Sequence, residues 1–229
     1  QVAEIALSET NQRVRARWCD VTALRKPDRA PVWCRPVGAW DEILPETALK
    51  CSDPWMRDWE RGFRRTRIKH DIGDDSPLEP YLEVGAQFRC EPPNLWGVDI
   101  GHVDSGAEGG AWAYDPPLKT EADFEKLRMP AFTFDEEATN RELDRAAELF
   151  ADILPVRIVS GPPISATLGT YAADLHGLQE MMISMMAAPE LMHRLMGHVR
   201  DAALAGMKAV EESGVLSPNN TGPMTCSER

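Results

Sequence analysis

The chain has 229 residues, 43% of them hydrophobic and 27% charged, with 25 Lys and Arg against 37 Asp and Glu and a formal net charge of −12. That composition fits an ordinary globular protein rather than a disordered one, and no apolar run approaches the ~20 residues a membrane span requires. So acidic a surface repels phosphate backbones and anionic lipid, which argues against nucleic-acid and membrane partners.

Gln1-Val2-Ala3-Glu4-Ile5 lacks the basic patch and apolar core of a signal peptide. The five cysteines, Cys19, Cys34, Cys51, Cys90 and Cys226, are odd in number and none is spaced Cys-x-x-Cys. They fit a reduced, cytoplasmic protein better than a disulfide framework or a structural zinc site.

In chain order, Ile5, Val14, Trp18, Val21 and Leu24 predict a helix over 4–24, ended by Lys26-Pro27-Asp28-Arg29. Residues 30–36 read as a short buried strand between prolines. Asp53 as N-cap and Pro54 at the first helical position predict a helix over 53–69, rich in Trp and Arg. Residues 81–88 read as a second strand. Residues 94–118 read as a β-rich excursion, with 96–100 and 110–114 joined in a hairpin at Asp104-Ser105-Gly106.

Thr120 with Asp123 three residues on predicts a capped short helix. Leu143, Ala146, Ala147, Phe150 and Ile153 share one face of a helix over 135–153. Residues 154–161 give the clearest parallel-type strand. Helices follow over 177–186 and 189–213, and a last strand over 214–217. Strands near 31, 82, 155 and 215 alternating with helices argue for a parallel α/β arrangement.

Two segments carry a family resemblance. Pro31-Val32-Trp33-Cys34-Arg35-Pro36-Val37-Gly38, followed by Leu44-Pro45-Glu46, resembles the first-strand signature of uroporphyrinogen decarboxylases. Gly161-Pro162-Pro163-Ile164-Ser165-Ala166-Thr167-Leu168-Gly169-Thr170-Tyr171 resembles that family's Gly-rich segment after a strand. The resemblance implies a (β/α)8 TIM barrel with its site at the C-terminal ends of the strands. About four core strands are readable. A single uroporphyrinogen decarboxylase-like domain over 1–229, truncated on its C-terminal side, is therefore expected, with a homodimer as one way to cover open barrel edges.

By the same resemblance, Arg35 and Tyr171 are the catalytic candidates and the site takes a small-molecule substrate. The family's second arginine of the first loop is replaced here by Ala39. Its absence points to the divergent branch of methyltransferases, which move a methyl group between a corrinoid, on a partner protein, and a small acceptor. Those enzymes use zinc held by a His-x-Cys pair and a distant Cys, and no His-x-Cys occurs in this sequence. Decarboxylation of a carboxylated substrate, which needs no cofactor, is the alternative activity. A non-catalytic half-barrel that binds a partner is the reading from another class.

The residues themselves leave further candidates. Trp40 reads as a pocket wall, and Trp33 as strand core. Asp174 and His176, two apart, face one way on a strand but diverge on a helix. Asn219 and Asn220 either bind substrate at a strand end or form the turn after it. Asp99, His102 and Asp104 read as a polar hairpin rim, and Asp71, Asp74 and Asp75 as a solvated acidic loop. Met181, Met182, Met185, Met186, Met192 and Met196 read as core filler. No set of residues is assigned to a metal.

Overall fold

The structure is a computed structural model describing residues 1–36, 38–104, 106 and 112–218. Its helices are α1 Val2–Leu7, α2 Glu9–Thr22, α3 Trp40–Ile43, α4 Pro54–Asp71, α5 Glu136–Phe150, α6 Leu168–His176, α7 Leu178–Ala187 and α8 Pro189–Ser213. Its strands are β1 Leu82–Gly85, β2 Phe88–Glu91, β3 Gly101–Asp104, β4 Trp112–Asp115, β5 Ala131–Phe134 and β6 Val156–Val159. The class is mixed α/β, as predicted. The strands form three two-stranded sheets, β1 with β6, β2 with β5 and β3 with β4. The chain divides into two compact units, one of Gln1–Leu82 with Ala146–Arg157, the other of Glu83–Arg145 with Ile158–Ser217.

In the first unit the predicted 4–24 helix is broken at Ser8, whose side chain accepts the Asn11 N–H at 3.1 Å and so caps α2. Helix α4 begins as its sequence dictates: Asp53 accepts the Met56 N–H at 3.0 Å, and Pro54 occupies the first turn. Trp55, Trp59 and Phe63 recur every four residues and gather round Phe150, with ring centroids 5.1 to 6.4 Å from it.

The strand expected over 30–36 does not form. Pro31 and Pro36 have no N–H to give a ladder. The Val32 N–H donates to the Asp75 carboxylate at 2.7 Å, and the Cys34 N–H to Asp74 at 2.5 Å. The Val32 carbonyl takes the Asp75 N–H at 2.8 Å. Two acids of the predicted solvated loop thus act as the segment's hydrogen-bonding partners, and both are buried.

Strands β1 and β6 are parallel. The Leu82 N–H donates to the Pro155 carbonyl and the Ala86 N–H to the Val159 carbonyl, so both bonds advance in the same sense. The strand expected over 214–217 does not form: Gly214 caps α8 in the left-handed region at φ +73°, and Ser217 bonds just beyond β6, N–H to the Ser160 carbonyl at 2.9 Å and Oγ from the Ser160 N–H at 3.1 Å.

In the second unit β2 and β5 are antiparallel, pairing Phe88 with Phe134 and Glu91 with Ala131. The hairpin of the β-rich excursion is present but shifted: β3 and β4 pair Gly101 with Asp115 through Asp104 with Trp112. Trp96, expected in a strand, is instead a buried core residue with Leu118, Phe124, Leu175, Leu195 and Val199. Met192, Leu195, Val199, Ala202, Gly206 and Val210 form the buried stripe of α8. At Gly206 a Cβ would overlap Ile164 Cγ2, so glycine there lets the helix approach its neighbour closely. The methionine cluster splits: Met192 is in the core, whereas Met182, Met185 and Met186 are exposed on α7.

Candidate functional site

The segment around Arg35, held by Asp74 and Asp75, meets α3 and α4 in an open cleft of about 570 Å³. Gly38, at φ +83°, supplies the left-handed turn that brings the chain from Arg35 to Trp40. Arg35, Trp40, Asp41, Arg65 and Lys69 line the cleft, with Cys34 and Thr66 beside them. Three cations against one carboxylate make it a basic site on an acidic chain.

Each cation rests on an indole. The Arg35 guanidinium carbon lies 5.2 Å from the Trp33 ring centroid and Lys69 Nζ 5.5 Å from the same ring. The Arg65 guanidinium carbon lies 4.9 Å from the Trp40 centroid. Cations over indole faces are attracted by the ring quadrupole, which helps to hold them at the cleft. Lys69 also faces Asp74 at 3.4 Å. Trp33, read as strand core, is only half-buried and backs two of the three cations.

Arg35 and Trp40, both named from the sequence, are thus brought to one cleft. Tyr171, Asp174 and His176 lie in the second unit, on α6, a helix the sequence reading lacked. The Tyr171 hydroxyl accepts the Ser165 N–H at 3.2 Å, and its ring meets Trp96 edge-on at 5.3 Å. His176 is buried, with Nδ1 at 2.7 Å from the Leu118 carbonyl and Nε2 at 3.0 Å from the Ser184 hydroxyl. A carbonyl only accepts, so Nδ1 donates, and in the neutral ring Nε2 accepts the Ser184 hydroxyl proton. Burial pushes the Asp174 carboxyl up, against a smaller opposing pull from His102. Because α6 covers both residues, Asp174 and His176 point apart. Asn219 and Asn220 lie outside the described residues.

The remaining acids have structural work. Asp75 takes Arg17 and Arg29 at 2.5 Å each, and Arg17 also grips Asp28 at 2.7 Å. Asp71 faces Arg67 at 3.8 Å. His102 packs against Tyr114 across the β3–β4 pair, the rings tilted at 54° with centroids 5.1 Å apart. Among the described residues no three His, Cys, Asp or Glu side chains converge in a way that could hold a metal. The zinc implied by a methyltransferase resemblance needs such a set, so these residues do not fit it.

Sequence reasoning passed over Arg65 and Lys69. The signal was there: Arg57, Arg61, Arg65 and Lys69 recur every four residues and so run down one side of α4. No protein-family model, curated protein or solved structure matches the chain.

Proposed function

We propose that this chain carries the substrate-holding part of an enzyme of the uroporphyrinogen decarboxylase-like kind, and that its Arg35 cleft takes a small carboxylated molecule and decarboxylates it without a cofactor. The observation that carries the reading is the cleft itself: three cations backed by two tryptophans, with Arg35 at the position the sequence resemblance singles out. Guanidinium groups pair with carboxylates through parallel N–H donors. Within this reading, the parallel sense of β1 and β6 supports a barrel-type arrangement.

Arg35 holds the substrate carboxylate group next to the reacting carbon. The carbon–carboxylate bond breaks, carbon dioxide leaves, and the electron pair stays on carbon. The guanidinium charge stabilises that pair until a proton from water replaces the lost group. Methyl transfer, the other activity implied by the resemblance, depends in that family on zinc, for which the described residues offer no ligand set.

The test is to incubate the chain, without metal or corrinoid, with pyrrole and benzene carboxylates labelled with ¹³C in the carboxyl group. NMR then follows labelled bicarbonate. Release above the buffer rate that Arg35→Gln abolishes is the expected result. An acid that binds at the cleft but keeps its label overturns decarboxylation, and a panel in which no acid binds overturns the carboxylate site.

A further inference from the structure

Helix α4 carries a ladder of cations at Arg57, Arg61, Arg65 and Lys69. Like charges four residues apart on a helix repel, so such a ladder needs acids to neutralise it. Glu46 does so at one end, reaching Arg57 at 2.7 Å and Arg61 at 2.8 Å. Asp74 does so at the other, facing Lys69 at 3.4 Å. The neighbouring Arg64 pairs with Glu60 at 2.7 Å. Arg65 is the exception: among the described residues it has no ion pair and no hydrogen bond, and its Nε is shut from water without an acceptor.

In a chain with 37 acidic residues against 25 Lys and Arg, an unpaired, half-buried arginine is not explained by a shortage of carboxylates. A shielded donor left without a partner costs stability. Arg65 lines the same cleft as Arg35, its guanidinium lying over Trp40. Nε and one Nη of a guanidinium form the side-on edge that a carboxylate accepts through two parallel bonds.

We infer that Arg65 is a second carboxylate-binding residue of the cleft, contributed by helix α4, and that the ligand therefore carries two carboxylates. This rests on the reading that Arg35 binds a carboxylate. Asp41, which also lines the cleft, disfavours additional negative charge.

The test is calorimetric titration at low ionic strength with benzene-1,3-dicarboxylate and with benzoate. The wild-type chain is expected to bind the dicarboxylate at least tenfold more tightly than benzoate. Arg65→Gln should bring the dicarboxylate down to the benzoate level while leaving benzoate within twofold. Arg65→Lys keeps the charge and the stem but lacks the fork, and should still lose at least fivefold. It carries the test if Arg65→Gln does not fold. Unchanged dicarboxylate affinity in the folded Arg65 variants overturns the inference and leaves the Arg35 reading standing. A wild-type chain that binds neither acid overturns both.

Discussion

Arg17 and Asp75, 58 residues apart in sequence, form an ion pair whose side chains are 7% and 2% exposed. Arg29 closes on the same carboxylate, and the Val32 N–H donates to it. Burial works to raise the Asp75 pKa, but the hydrogen bonds from Arg29 and Val32 and the two guanidinium charges outweigh it and hold the group below its ordinary value. Asp75 therefore ties α2 to the segment that presents Arg35. Asp75→Asn removes the charge, leaving Arg17 with Asp28 as its remaining carboxylate and Arg29 without its buried partner. Breaking a buried pair from one side costs about 3–5 kcal/mol, and urea unfolding should show a loss of that order. A loss below about 1 kcal/mol would show that the node is dispensable.

Acid should weaken the first unit in a definite window. The Arg17 hydrogen bond lowers Asp28 to about 2, and the Cys51 N–H, with help from Lys50 and Arg64, lowers Glu60 to about 2. A carboxylate whose folded pKa is depressed stabilises the fold fully above its ordinary value, here 3.8 for Asp28 and 4.5 for Glu60. That contribution is lost as pH falls through about 2. Urea midpoints measured at steps from pH 5 down to the acid limit should fall through this window. Glu60→Gln should flatten part of the fall; an identical pH curve for the variant would rule Glu60 out as a contributor.

Asp174 should behave in the opposite way. Burial raises its pKa above the ordinary 3.8, so the charged form costs stability once pH rises past that value. Asp174→Asn is expected to raise the melting temperature at pH 7, with the gain shrinking below pH 3.8. A lower melting temperature at pH 7 would mean that the carboxylate is needed in its charged form, as a catalytic role would require.

Gly206 tests the close approach of α8. A valine there has nowhere to put its Cβ without moving Ile164, and overpacking of this kind costs about 1–3 kcal/mol. Gly197, on the same helix, has open space for a Cβ. Gly197→Ala should be neutral or stabilising, because alanine favours helix by ~1 kcal/mol over glycine. Equal unfolding midpoints for Gly206→Val and wild type would contradict the packing.

Local rules proved legible where the determinants are close in sequence. The Asp53 cap with Pro54, the box of Thr120 with Asp123, and the long run of α8 were all readable, although the Thr120 box opens a 3-10 helix over Glu121–Lys126. The strand at 30–36 was misread because the groups that take its N–H donors, Asp74 and Asp75, lie some forty residues on. Helix α6 was hidden by Gly169 and Thr170, weak helix formers in its first turn. Strand β5 is four residues long, too short for alternation to show. At the cleft, Arg35 was singled out by the family resemblance and Trp40 by its place beside the Arg35 loop. Arg65 was readable as one of a four-residue series on α4, but its lack of an acidic partner shows only once the chain is folded.

All the cleft-lining residues fall between Cys34 and Lys69. Contacts between near neighbours in sequence close small loops and form early in folding, whereas pairing β1 with β6 must join segments some seventy residues apart. The cleft is therefore expected to close before the parallel pair: in stopped-flow refolding, the indole signal of Trp33 and Trp40 should settle before amides of β6 become protected from exchange.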